Sequence, residues 1–203
     1  MDIVCLDLEG VLVPEIWINF AERTGIAELR ATTRDVPDYD VLMRRRLEIL
    51  DEHGLILRDI QEVIGGLGPL PGAREFLDDL RLDYQVVILS DTFYEFAAPL
   101  MRQLGLPTLF CHRLVVDAEQ RIVDYRLRLR DHKRAGVEAF KTLNFHVIAA
   151  GDSYNDTSML AAADRGILFR APDNVIREFP QFDVVTEYDG LRGAIDGARA
   201  QAA

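Results

Sequence analysis

Cysteine is scarce in this sequence. Only Cys5 and Cys111 occur, too few for a disulfide framework, so both read as reduced thiols of a cytoplasmic protein. Cys5 lies within an apolar strand pattern, where the expected role is a small buried hydrophobe. Long apolar runs are missing as well: none nears the ~18 residues that a membrane span needs. The N-terminus lacks a basic region before an apolar stretch and carries Asp2, Asp7 and Glu9 instead, so a secretory signal is not expected. Positive charge is in deficit, with 23 Lys and Arg against 34 Asp and Glu, a formal net charge of −11. Such a surface repels nucleic acid and anionic lipid, so neither nucleic acid nor membrane is an expected partner. A phosphorylated small molecule would need a locally positive pocket, made by a metal ion or a few placed cations.

The 203 residues suffice for one α/β core plus a small insertion. Residues 3–8 form a short apolar run that contains Asp7 and is followed by Gly10, a buried strand meeting a loop. Similar runs recur at 86–89, 147–150, 167–169 and 184–186, with helical patterns between most of them. The alternation predicts a Rossmann-like, mostly parallel sheet with helices on its faces. Residues 109–130 alternate apolar and polar on both sides of 118–120, which predicts an antiparallel hairpin beside the main sheet. From Pro14 to about Leu70 only helical patterns occur, closed by the Gly- and Pro-rich segment 65–72. The expected organisation is a catalytic α/β core of residues 1–13 and 71–203, with residues 14–70 as a helical cap and 65–72 as its hinge or return linker.

Three polar motifs each follow an apolar strand pattern: Asp7-Leu8-Glu9-Gly10-Val11, Ser90-Asp91, and Gly151-Asp152-Ser153-Tyr154-Asn155-Asp156. In an open parallel sheet ligands bind beyond the carboxyl ends of the strands, and right-handed crossovers would bring all three motifs to that edge. Phosphoryl transfer suits such a grouping, because a phosphate ester repels nucleophiles until a cation and fixed donors neutralise it. Magnesium prefers hard oxygen ligands, and one or two carboxylates plus substrate suffice; Asp7 and Asp152 can supply them. An aspartate can also attack phosphorus and form an acyl phosphate. The leaving alkoxide then needs a proton, for which Glu9 is the candidate. Taken singly, Asp7 reads as a turn former and Gly-Asp-Ser as a helix cap. Acidic clusters at two strand ends with Ser-Asp at a third favour the catalytic reading.

Other residues are less decided by pattern. Ser90 is either a helix cap or a donor to a phosphoryl oxygen. Lys133 lies in the charged run Arg130-Asp131-His132-Lys133-Arg134, which ordinarily makes a solvated face. Glu15 follows Pro14 at a helix start, where the dipole favours an acid anyway. At ~100° per residue, Leu42, Met43, Leu47, Ile49 and Leu50 share one helix face, and Arg46 projects near its middle. A buried guanidinium requires a partner. An internal salt bridge or snorkelling stem and an anion clamp facing the core stand level as explanations.

These motifs resemble the haloacid dehalogenase superfamily: Asp7 to Val11 its first motif, Ser90 its second, Lys133 its third, Gly151-Asp152 through Asn155-Asp156 its fourth. The likeness narrows to phosphoserine phosphatases, and most to the bifunctional phosphoserine phosphatase/homoserine phosphotransferase group, over nearly the whole chain. The resemblance implies hydrolysis of O-phospho-L-serine through a phosphoaspartate, with transfer of the phosphoryl group to homoserine as a second activity. It implies Asp7 as nucleophile and Glu9 as acid/base. Mg2+ would be held by Asp7, the main-chain carbonyl of Glu9, and Asp152. Ser90 and Lys133 would hold phosphoryl oxygens. Glu15 and Arg46 would bind the amino and carboxylate groups of the substrate, Asp91 and Asn155 would line the pocket, and Asp156 would orient metal-bound water. One departure is Glu9, where the superfamily usually has aspartate; neighbouring acids favour its protonated form and magnesium opposes it.

Two other readings stand beside this one, the second different in kind. One is a phosphatase for another small phosphomonoester. The other is a receiver-like phospho-signalling domain, against which the Asp-x-Glu pair on the first strand, the distant Lys133 and the helical insertion speak. The oligomeric state is open, with a homodimer among the options.

Overall fold

The computed structural model describes residues 1–32, 35, 36 and 38–202. Among these, seven strands form one sheet in the order β4-β3-β2-β1-β5-β6-β7. The central strand β1 (Asp2–Leu6) pairs in parallel with β2 (Gln85–Phe93) and β5 (His146–Gly151), and β6 (Arg165–Phe169) and β7 (Asp183–Val185) extend that side. β1 reads DIVCL, with Val4, Cys5 and Leu6 fully buried. A strand covered on both faces needs such a run rather than alternation. Val4 and Leu6 face one apolar cluster while Ile3 and Cys5 face the other, so the sheet divides the core into two layers.

The predicted hairpin is present as β3 (Thr108–Val116) and β4 (Ile122–Arg126), turning through residues 117–121. It does not stand beside the sheet. The first half of β3 pairs in parallel with β2, and its second half pairs antiparallel with β4, so the hairpin extends the main sheet. Exposed Arg113 and Arg126, paired across the hairpin, mark its solvent side.

Between β1 and β2 lie α1 (Ile16–Thr24), α2 (Tyr39–Glu52), α3 (Leu57–Gly65) and α4 (Ala73–Asp83). α2 starts at Asp38, whose carboxylate accepts the Val41 N–H at 3.1 Å. Its buried face carries Leu42, Met43, Leu47, Ile49 and Leu50, and Arg46 lies among them at 7% exposure. α3 packs on α5 (Tyr94–Gln103) and α2 against β4, so the inserted helices share one apolar cluster with Leu8, Phe93 and Phe96 of the sheet layer. Segment 65–72 is tied down: Arg23 reaches the Gly66 carbonyl at 2.8 Å, and the Leu70 N–H reaches the Leu12 carbonyl at 2.9 Å. α6 (His132–Thr142), α7 (Thr157–Ala162), α8 (Asp173–Glu178) and α9 (Tyr188–Ala202) complete the faces. Among the described residues no helix is long and apolar enough to cross a membrane.

Candidate active site

The carboxyl ends of β1, β2 and β5 converge, and the parallel register explains it. Leu6 is level with Ile88 of β2 and with Ala150 of β5. Asp7 and Asp152 therefore leave the sheet at the same edge, beside Ser90-Asp91, which lie within β2 where its pairing with β3 is irregular between Leu89 and Phe93. Of the ten residues singled out in the sequence, nine line one cavity of about 460 Å3: Asp7, Glu9, Glu15, Arg46, Ser90, Asp91, Lys133, Asp152 and Asn155; the tenth, Asp156, is fully buried behind it.

Lys133 sits at the centre. It lies in the first turn of α6, 2% exposed, while Arg130, Asp131 and Arg134 around it are exposed. Its Nζ is 2.7 Å from Asp156 Oδ1, 2.9 Å from Asp7 Oδ1 and 3.3 Å from Asp91 Oδ2. A cation at a helix N-terminus opposes the dipole, and burial penalises it further. The three carboxylates reverse both effects and hold the ammonium well above its ordinary value, so it stays charged. The charged run is thus a solvated face everywhere except at its two middle positions, His132 and Lys133.

Asp7 is 3% exposed, and burial, followed by Asp156, raises its carboxyl well above the usual range against the pull of Lys133. Burial, Asp156 and Glu15 likewise push Asp152 up to about 7. Asp7, Asp152 and Asp156 each present an oxygen within 4.8 Å of the others. Such crowded, hard-oxygen groups suit a small divalent cation, which would relieve their mutual repulsion. Gly10 keeps the space open: a Cβ there would stand 2.4 Å from Asp152 Oδ2, and its φ of 75° suits glycine. Asp156 has little left to offer a cation. Its Oδ2 accepts the backbone N–H groups of Asp152 and Ser153 at 3.0 and 3.1 Å, and its Oδ1 meets Lys133. Gly151 makes this fold-back feasible, since a Cβ there would meet Asp156 Cγ at 2.4 Å.

Glu9 takes the role that the sequence pattern gives to Glu15. Its Oε2 accepts the N–H of Ile16, the first residue of α1, at 2.8 Å, whereas Glu15 occupies the N-cap position without a side-chain capping bond. Burial and Glu15 push the Glu9 carboxyl up to about 8, with Ile16, Arg46 and Lys133 opposing. The dominant charged neighbour is thus Glu15, the acid at the start of α1.

Arg46 reaches the cavity from α2. Its guanidinium stacks over Trp17 at 4.4 Å and donates to the Ala31 carbonyl at 2.8 Å, while its Nε is buried without a partner. Burial pulls it down to about 10, against the pull of Tyr39, Glu9 and Glu15. No carboxylate lies within salt-bridge distance among the described residues, so the internal salt bridge is not the arrangement found. At the opposite wall Ser90 is 1% exposed and its Oγ accepts the Thr92 N–H at 3.3 Å. Asn155 donates to Asp91 Oδ2 at 3.0 Å, and Tyr39 of α2 donates to the Asp91 carbonyl at 3.4 Å. Two buried residues of this wall, His112 and His132, carry no signal in the sequence beyond the adjacency of His132 to Lys133.

Residues 1–164 match the haloacid dehalogenase-like hydrolase family. The chain is 69% identical over 192 residues to the phosphoserine phosphatase of Pseudomonas syringae pv. tomato, covering 95% of this chain and 81% of that protein. It is equally 69% identical over 192 residues to phosphoserine phosphatase ThrH of Pseudomonas aeruginosa, covering 95% and 94%. Among solved structures, a substrate-bound phosphoserine phosphatase complex superposes with a TM-score of 0.74 at 20% identity, over 96% of this chain and 97% of the other. A phospho-aspartyl intermediate analogue of phosphoserine phosphatase gives 0.71 at 22%, over 92% and 93%. At such identities these two establish the shared fold.

Proposed function

The chain belongs to the haloacid dehalogenase-like hydrolase family, and we propose that it hydrolyses O-phospho-L-serine through a phosphoaspartate on Asp7 and also passes the phosphoryl group to homoserine. The observation that carries this reading is the cavity itself. The Asp7–Lys133 pair lies at one end, and the Arg46 guanidinium with its unpartnered Nε enters from α2. A phosphate group and an amino-acid carboxylate are the two anions that such an arrangement suits.

In this mechanism an oxygen of Asp7 attacks phosphorus, and the bond from phosphorus to the serine oxygen breaks as the new one forms. Lys133 and Ser90 donate to the phosphoryl oxygens. Glu9 enters protonated, as its raised carboxyl favours, and gives its proton to the leaving serine oxygen. The same carboxylate then takes a proton from water, whose oxygen attacks phosphorus and restores Asp7. If the homoserine hydroxyl takes the place of water, the product is homoserine phosphate. Arg46 pairs with the substrate carboxylate and Glu15 with its ammonium, while Asp91 and Asn155 shape the wall between. Mg2+ would fit the hard oxygen donors: Asp7, the main-chain carbonyl of Glu9 and Asp152 would hold it, and Asp156 would orient water beside it. When bound it supplies neutralising charge to the phosphoryl group. Residues 14–70 act as a cap that brings Glu15 and Arg46 over the core and excludes bulk water. We place the reaction in the cytoplasm, where the buried thiols of Cys5 and Cys111 stay reduced.

The test supplies L-phosphoserine and Mg2+ with and without homoserine, and measures inorganic phosphate and homoserine phosphate together. Phosphate that falls as homoserine phosphate appears is the expected result. Release unaffected by homoserine would remove the transfer activity, and no release would remove phosphoserine as substrate.

A further inference from the structure

The two oxygens of Asp91 face different neighbours. Oδ2 lies 3.0 Å from Asn155 Nδ2 and 3.3 Å from Lys133 Nζ. Oδ1 lies 3.2 Å from His132 Nε2 and 3.7 Å from His112 Nε2. Both histidines are buried, at 3% and 4% exposure, with their rings 4.4 Å apart. The reaction described above uses neither. Buried imidazoles without a task are costly, and neither nitrogen of His132 makes an aligned hydrogen bond.

Asp91 Oδ1 and two histidine nitrogens within 4.8 Å of one another would suit a transition metal by spacing alone. His112 argues against it. Its Nδ1 accepts the backbone N–H of Arg128 at 3.1 Å. A backbone N–H can only donate, so this bond fixes both the ring orientation and the tautomer, and the ring proton sits on Nε2. A metal-ligating histidine has the reverse arrangement, with its bare nitrogen on the metal and its N–H given to an acceptor. At His112 the nitrogen that faces Asp91 is the protonated one.

We propose that His112 and His132 are positioning residues that hold Asp91 by Oδ1 and so leave part of the Lys133 ammonium free for the phosphoryl group. This rests on the reading of Lys133 as a phosphoryl-binding group. An ammonium has three protons, and here they face three carboxylates, with Asp91 the most distant. The phosphoryl oxygens need at least one of those protons, and the longest contact is the one to yield. The two imidazole nitrogens beside Oδ1, at 3.2 and 3.7 Å, attract the carboxylate to that side and restrain it at that distance. Without them Asp91 closes on Lys133 through a shorter charge-assisted bond and competes with the phosphoryl group. The loss falls on turnover, since Arg46 and Glu15 bind the remainder of the substrate elsewhere in the cavity.

Steady-state rates of wild type, His132→Leu, His132→Gln, Asp91→Asn and the His132→Leu/Asp91→Asn double variant test this, with phosphoserine and with p-nitrophenyl phosphate. His132→Leu is expected to lower kcat about tenfold or more while KM moves less than about twofold. His132→Gln, which can place an amide N–H near the Nε2 position, is expected to recover most of kcat. In the Asp91→Asn background His132→Leu is expected to change kcat by less than about twofold, because a residue acting through Asp91 has nothing left to act on. An equal loss in both backgrounds overturns the proposal, as does a His132→Gln as slow as His132→Leu. Zn2+ binding by wild type that His112→Gln abolishes would also overturn it, making the cluster a metal site. If His132→Leu does not fold, His132→Asn replaces it; Asn reaches only the Nδ1 position, and equal activity of Asn and Gln variants overturns the proposal. A wild type active on the aryl ester but not on phosphoserine overturns the substrate reading and leaves this comparison intact. Inactivity on both overturns the two together.

Discussion

Lys133 Nζ stands 2.9 Å from Asp7 Oδ1 across 126 residues of chain, and both side chains are at least 95% buried. Neither charge would be tolerable there alone. Lys133→Met leaves Asp7 and Asp156 facing each other without a cation, and breaking a buried pair in this way costs about 3–5 kcal/mol. The variant is expected to melt well below the wild type and to lose at least about a hundredfold in kcat. Thermal melting and phosphate release check the two effects separately. Wild-type turnover in a folded Lys133→Met protein would remove Lys133 from the mechanism.

Arg46 differs in that its planar guanidinium is stacked on Trp17, so charge alone does not reproduce it. Arg46→Lys is expected to raise KM for phosphoserine by roughly tenfold to a hundredfold, the loss of one charge-assisted bond at about 1.5–3 kcal/mol. Hydrolysis of p-nitrophenyl phosphate, which has no carboxylate, is expected to change little. A uniform loss on both substrates would make Arg46 a structural residue of α2.

Arg46 was also among the features most legible in the sequence, because a cation in the middle of an apolar helix face is a local contradiction that periodicity exposes. The strands were legible for a related reason: their apolar runs end at Asp7-Leu8-Glu9-Gly10, Ser90-Asp91 and Gly151-Asp152, where polar chemistry begins abruptly. Lys133 was not legible from its pattern. Its burial depends on Asp7, Asp91 and Asp156, which no local window contains, and its neighbours in sequence are indeed exposed. The continuity of β3 with β2 was hidden for the same reason, since alternation reveals a hairpin but not which sheet edge it joins. His112 and His132 acquire meaning only through Asp91.

Gly10 gives a sharp steric prediction. Ala at this position places its Cβ 2.4 Å from the Asp152 carboxylate and adopts a positive φ that disfavours any side chain. Gly10→Ala is expected to lose about 1–3 kcal/mol of stability. It is also expected to require several-fold more Mg2+ for half-maximal activity, because Asp152 is displaced. Magnesium titrations of activity at a temperature where the variant is folded read this directly. An unchanged requirement would exclude Asp152 as a ligand.

The metal-free protein is expected to be more stable at about pH 6 than at about pH 8.5. Asp152 and Glu9 sit near 7 and 8 in the folded state, above their ordinary values, so the folded chain holds more protons than the unfolded one through this interval. Stability therefore falls as pH rises through those values. Mg2+ competes with these protons, so its addition is expected to raise the melting temperature more at the higher pH. Melting curves with a chelator and with Mg2+ at both pH values give four numbers. An equal gain from Mg2+ at both would show that the carboxylates do not exchange protons for metal.

Glu9 yields the prediction that most directly separates the two half-reactions. Burial and Glu15 push its carboxyl up to about 8 in the metal-free protein, the direction that an acid for the leaving group requires. Phosphoserine, whose alkoxide leaves poorly, needs a proton, so its kcat/KM is expected to fall as the pH rises through the Glu9 carboxyl, which bound Mg2+ draws below its metal-free value. p-Nitrophenolate leaves without a proton, so formation of the phosphoenzyme from p-nitrophenyl phosphate should show no such fall. Glu9→Gln extends the contrast. It is expected to lose roughly 10²–10⁴-fold on phosphoserine, the range for a general acid. On the aryl ester it is expected to release a burst of about one nitrophenol per enzyme and then stall, because water attack on phosphorus still needs a base. A burst with both esters would mean that another group protonates the serine oxygen. Absence of a burst with the aryl ester would mean that Glu9 is needed before the phosphoaspartate forms, as a positioning group for Asp7 rather than as the acid.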